Sequence, residues 1–157
     1  MYRPASAHGP AENVPLPKLP KLAKQKSKEG LIAFAEYWYK TVEYAHETGD
    51  VSLIREISGP QCFACNKTYD RMTQGFAEGD WLAGGKFDIR AIESEFVETG
   101  DGRYQLLVRL SQREVISYGP KDTIYAVVDE GPPGVQIMEA TYTTGRWTAE
   151  NVETINQ

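Results

Sequence analysis

The sequence predicts an α+β domain in which three N-terminal helices pack on a curved antiparallel sheet of about four strands. Three observations predict it. Apolar residues recur at helical spacing from about residue 28 to residue 76. After Ala83, Gly84 and Gly85 the period drops to two, the mark of half-buried strands. The alternating runs are divided by turn sequences at 99–102, 131–134 and 144–146, which suit antiparallel connections.

The first helix has the clearest signals. Ser27 is placed to cap its start, and Glu29 puts a negative charge in the first turn, where the helix dipole favours it. Leu31, Phe34, Trp38, Val42 and Ala45 form one apolar stripe, with Glu36, Lys40, Glu43 and Glu47 opposite. Gly49 then supplies a left-handed C-cap. Asp50 begins a short second helix with Leu53, Ile54 and Ile57 facing inward, and Ser58-Gly59-Pro60 stops it. Pro60 suits the first turn of a third helix, on which Cys62, Cys65, Tyr69, Met72 and Phe76 share a stripe.

The connection from Gly79 to Gly85 reads as a turn, with Trp81 packed over the core edge. Phe87, Ile89 and Ala91 alternate, and the alternation then slips to Ile92, Ser94 and Phe96. One extra residue near Ala91 and Ile92 predicts a β-bulge, which bends a strand. A long strand follows with Tyr104, Leu106, Val108 and Leu110 on one face, broken at 117–122. Residues 123–128, 135–143 and 147–155 complete the sheet.

Residues 1–27 differ from the rest. They hold five of the nine prolines and one aromatic, Tyr2. Closely spaced prolines suit neither helix nor sheet, so the reading is a Pro/Lys-rich disordered linker or tether, with the folded domain at 28–157. Charge divides the same way. Residues 1–30 carry six basic groups against two acidic, and the remaining 127 carry 11 against 20, for a net charge of −5. An acidic body leaves no basic face for phosphates, which excludes a nucleic-acid-binding domain. No stretch approaches the roughly 18 apolar residues of a membrane span.

The cysteine pair raises the sharpest chemical question. Cys62 and Cys65, the only two cysteines, stand three positions apart. On a helix this brings their α-carbons to roughly 5 Å, within disulfide range. An even count suits an oxidising compartment. A structural disulfide is the favoured reading. A redox centre would need a preceding strand in a βαβ setting, and a zinc site would have to recruit His8 and His46. Two reduced cysteines acting as small buried hydrophobes are the remaining alternative.

Residues 29–72, with their aromatic-rich first helix, the Thr48-Gly49-Asp50 turn and the Pro60-Gln61-Cys62-x-x-Cys65 step, resemble a family of uncharacterised actinobacterial lipoproteins. Thr143-Thr144-Gly145-Arg146-Trp147 supports the resemblance near the end. That family resembles the nuclear-transport-factor-2-like, or SnoaL-like, cone. The resemblance implies a domain on the extracellular face of the plasma membrane, or secreted, anchored by an acylated N-terminal cysteine that this sequence does not contain. Read from its residues alone, the chain would be cytoplasmic. The family carries no activity to transfer.

A cone of this kind implies a pocket between helices and sheet, and Tyr37, Trp38, Tyr104 and Tyr142 are the candidate lining residues. The expected occupant is a small apolar ligand. A protein partner is the other expectation, including a second copy docked through the outer sheet face. No serine–histidine–aspartate order, metal cluster or phosphate-cradling loop is present in the sequence, so no catalytic residue, metal or cofactor is assigned. His46 reads as a base favouring the helix C-terminus, and Asp88 as a solvated acid. The competing reading is an isomerase or dehydratase with its site in the cone.

Overall fold

Ser27 caps the first helix as expected: its Oγ accepts from the Gly30 N–H at 3.0 Å. In this computed structural model, which describes residues 1–155, helix α1 runs Lys28–Thr48 and closes on Gly49 at φ 79°. Helix α2 is Ser52–Glu56 and α3 is Phe63–Gly75. Cys62, not Pro60, is the N-cap of α3. Its sulfur takes the Cys65 N–H, and Asn151 Oδ1 takes that of Phe63 at 2.8 Å. Two donors that a helix start leaves open are thus satisfied.

Among the described residues seven strands follow: β1 (Trp81–Gly84), β2 (Phe87–Glu93), β3 (Tyr104–Gln112), β4 (Val115–Gly119), β5 (Thr123–Val128), β6 (Gly134–Thr143) and β7 (Arg146–Ile155). They form two antiparallel sheets, ordered β2-β3-β6-β7 and β1-β4-β5. The expectation of one sheet of about four strands is therefore corrected. The Gly79–Gly85 stretch is not only a turn: it contains β1, where Trp81 stacks on Tyr118 at 6.1 Å between centroids. The break expected at 117–122 comes earlier: β3 already ends at Gln112, residues 117–119 lie inside β4, and only 120–122 form the turn to β5. The predicted bulge exists, with the β2–β3 register shifting between Ile89 and Ala91. A second shift occurs between β6 and β7 beside Glu139 and Ala140. Each adds local bend and twist to the four-stranded sheet.

The core lies between α1 and the inner face of that sheet. Tyr104, Leu106, Val108 and Leu110 alternate inward on β3, and Met138, Ala140, Trp147, Ala149 and Val152 extend the face across β6 and β7. The link between α2 and α3 covers the outer edge of β7. Ala149 N donates to Ile57 O and Gly59 N to Ala149 O, both at 2.8 Å. An edge that would otherwise invite another strand is thereby paired. Among the described residues strand β5 has no such cover: Tyr125 is 59% exposed and Val128 63%.

Residues 1–27 are not a free tether in this structure. They lie against the body as a strap. A 3-10 turn at Lys21–Lys24 buries Ala23. Trp81 Nε1 donates to Ser6 O at 2.8 Å, Tyr142 Oη to Lys24 O at 2.6 Å, and Trp147 Nε1 to Gln25 O at 2.9 Å. Tyr2 Oη donates to Glu47 Oε2 at 2.8 Å, and burial with this carboxylate pushes its hydroxyl up to about 12. Trp81 and Trp147 are buried, and a buried indole N–H needs an acceptor, which the strap carbonyls supply.

Gly30 records how tightly the strap seats. A Cβ there would stand 2.1 Å from the Gln25 carbonyl oxygen. The strap also explains why α1 is buried well beyond its apolar stripe, with Tyr37 and Tyr39 both covered. Among the described residues, no helix is long and apolar enough to cross a membrane.

Candidate functional site

Helix α1 forms the floor of a cleft of about 500 Å³, with α3 as one wall and the ends of β2, β3, β6 and β7 as the other. Trp38, Tyr39, Val42 and His46 rise from the floor, Phe63, Ala64 and Thr68 line the helical wall, and Phe87, Gln112 and Gln136 the sheet wall. The cleft thus mixes an apolar part, Trp38, Val42, Phe63, Ala64 and Phe87, with an equally large set of polar groups, and Lys67, Arg71, Glu153 and Thr154 complete its rim.

The polar groups are held firmly. Tyr39 Oη donates to Gln136 Oε1 at 2.6 Å, joining α1 to β6. Burial raises the Tyr39 hydroxyl far above its ordinary range, so it stays a donor. His46 Nδ1 lies 3.0 Å from Val42 O. A carbonyl can only accept, so Nδ1 carries the proton and Nε2 keeps its lone pair. That nitrogen faces Gln112 Nε2 at 3.5 Å, and the same amide donates to Gly85 O at 3.0 Å. Burial lowers the His46 imidazole below its ordinary value, against the Val42 hydrogen bond and with help from the Arg71 charge. The ring is neutral at pH 7.

Gly85 makes this arrangement possible. Its φ is +86°, and a Cβ there would meet His46 Cδ2 at 3.1 Å. His46 does stand in the last turn of α1, but it is not simply the basic group favouring the helix C-terminus of the sequence reading. It is 1% exposed and forms part of the cleft floor.

The structure separates the four aromatics expected to line a pocket. Trp38 alone reaches the cleft, and its Nε1 donates to Ser58 Oγ at 3.0 Å. Tyr37 faces the strap instead, lining a crevice with Lys18 and Pro20. Tyr104 and Tyr142 belong to an aromatic cluster that fills the far end of the core. Tyr104 stacks on Phe96 at 4.6 Å, and both tyrosines present edges to Trp147 at 5.4 and 5.0 Å. Sequence reasoning passed over Tyr39, Gln112 and Gln136. Alternation was a usable signal, since Gln112 continues the inward series 104–110 and Gln136 precedes inward Met138 and Ala140.

Cys62 and Cys65 form a disulfide, with α-carbons 5.2 Å apart and both residues fully buried. The bond leaves no thiolate for zinc, and its burial keeps it from the exposed setting of redox-active cysteines. Asp88 is not merely solvated. Arg113 meets it through two hydrogen bonds at 3.0 and 2.9 Å, holding its carboxyl below the usual range.

A larger depression of about 750 Å³ lies beside residues 92–99 on the four-stranded sheet. Its charged lining, Lys28, Glu93, Glu95 and Glu98, is solvent-facing. Its buried polar side chain, Ser94, is satisfied within the wall, its Oγ donating to Gln105 O at 2.7 Å and accepting from the Phe96 N–H at 3.0 Å.

Residues 1–153 match a family described as "Family of unknown function (DUF6318)". No curated protein matches the sequence. Among solved structures, the intermembrane space region of the chloroplast protein ARC6 is similar at 12% identity with a TM-score of 0.53. That match covers 83% of this chain and 98% of that one. Aln2 from a Streptomyces species is similar at 12% identity with a TM-score of 0.48, covering 87% and 93%. The first likeness is one of fold alone.

Proposed function

Because the chain belongs to DUF6318, a family of unknown function, its role has to be read from its own cleft, and we propose that it is a non-catalytic domain that binds a small, largely apolar ligand there. One observation carries this reading. Trp38, Val42, Phe63 and Phe87 give the cleft an apolar part, and the polar groups beside it already hold one another through Tyr39–Gln136 and His46–Gln112. Such a wall is preorganised for binding. We further propose a nuclear-transport-factor-2-like cone, for which the bulged sheet facing α1 is the support. A cell-envelope location outside the membrane, of the lipoprotein type, is supported by the disulfide, since such bonds persist in oxidising compartments. A protein partner, or a second copy, would use the outer face of the four-stranded sheet.

The test is to fill the cleft. Ala64→Trp places an indole into it from α3. The neutral dye Nile red should brighten with the native protein and stay dim with this variant, at unchanged thermal stability. Equal brightening would move the dye elsewhere, the exposed apolar strand β5 being the obvious place.

His46 favours a second reading, an isomerase or dehydratase, because a neutral imidazole is a competent general base. Its support is the lone pair on Nε2 at the cleft wall. Its test is proton exchange from a β,γ-unsaturated ketone, which His46→Gln should abolish. Native protein that leaves the exchange at the solvent rate removes this reading.

A further inference from the structure

We propose that the cleft's ligand is an anionic amphiphile, an apolar body bearing a carboxylate, whose charged end is held at the mouth by Lys67 and Arg71. This rests on the cleft being a ligand site. Lys67 and Arg71 stand one helical turn apart on α3, and both line the cleft. Among the described residues, no carboxylate lies within ion-pair distance of either. Lys67 Nζ sits 4.9 Å from the centroid of the Phe63 ring, and Arg71 makes no hydrogen bond among these residues. Two like charges at this spacing repel one another, and among the described residues no ion pair offsets them.

Their setting makes the pair unusual. Residues 31–157 carry 11 basic groups against 20 acidic, yet the groups across the mouth, Gln136 and Thr154, are neutral. Glu153 borders the same rim. It pairs with Ile137, and Gln136 pairs with Thr154, so alternation turns the Glu153 side chain to the sheet's other face. The Arg71 charge reaches the cleft floor, where it acts on His46. A carboxylate at the mouth would meet two cations, with Glu153 the one acid on the rim, while its apolar body lay against Trp38, Val42 and Phe87.

The experiment compares three probes of equal chain length with the disulfide-intact protein: decanoate, decan-1-ol and decyltrimethylammonium. Binding is followed through the side-chain amide signals of Gln112 and Gln136. Decanoate should bind at least about tenfold more tightly than decan-1-ol, and decyltrimethylammonium least. In Lys67→Gln/Arg71→Gln, two exposed sites whose change leaves the core intact, decan-1-ol should bind as before and the tenfold preference should vanish. Equal affinity of decanoate and decan-1-ol for the native protein overturns the anion inference and leaves the cleft reading standing. So does a preference that survives the double variant. If none of the three perturbs these amides, the cleft reading itself falls.

Discussion

The indole Nε1 of Trp147 donates to the carbonyl oxygen of Gln25 at 2.9 Å, tying the last strand to the strap that precedes the first helix. The strap therefore belongs to the folded unit, and Gly30 is where this is most sharply tested. On helix propensity alone, Gly30→Ala should stabilise by about 1 kcal/mol. The added Cβ would instead meet backbone at 2.1 Å. We expect a net loss of about 1–3 kcal/mol in denaturant unfolding, as for overpacked cores, with faster tryptic cleavage at Lys18–Lys26. A stabilised variant would show that the strap does not seat here.

Reducing the disulfide should loosen the start of α3. The closed loop is short, so the chain-entropy model gives about 2 kcal/mol. For a domain of this size that corresponds to a fall in Tm of about 4–8 °C on going to Cys62→Ser/Cys65→Ser. Calorimetry of oxidised native protein against the double variant measures it, and identical transitions would count against a structural role.

His46 predicts an acid limb to stability. Its imidazole lies below the ordinary value of 6.5 in the folded protein, so the unfolded chain takes up the proton first. Stability is then complete above about pH 6.5 and declines as pH falls towards the folded value, by up to about 1.4 kcal/mol per pH unit. Asp88 and Asp101 are both held below an ordinary 3.8, so their losses come at lower pH. Just below pH 6.5, His46→Gln should flatten the profile, and an unchanged slope would place its source elsewhere.

Tyr39→Phe should cost about 1 kcal/mol by removing the hydrogen bond to Gln136, an acceptor that borders the cleft and is open to water once released. Urea unfolding with an unchanged m-value checks it. A loss several times larger would mean that the hydroxyl holds more than this contact.

Local signals in the sequence were strong where the structure answers to local forces. Ser27 and Gly49 mark the ends of α1 because capping is decided within a few residues. The slip in alternation located a bulge within about two residues of its place, since side-chain period is a property of the strand itself. What stayed hidden depends on distant partners. Nothing near Pro4, Pro10 or Pro15 announces that Trp81, Tyr142 and Trp147 will claim carbonyls of residues 6, 24 and 25. Strand β1 is four residues long and exists through its pairing with β4. His46 was misread for the same reason. Its helix position is local, but the residues that bury it, Gly85 and Gln112, are about 40 and 66 positions away.

The most direct measurement of the central claim is a heteronuclear map of the protein with and without decan-1-ol, a neutral apolar probe. The account predicts saturable shifts at the side-chain amides of Gln112 and Gln136 and at the Trp38 indole, the groups that line or border the cleft. Shifts confined to Ile124–Val128 on the exposed strand β5, with those three signals unmoved, would contradict it.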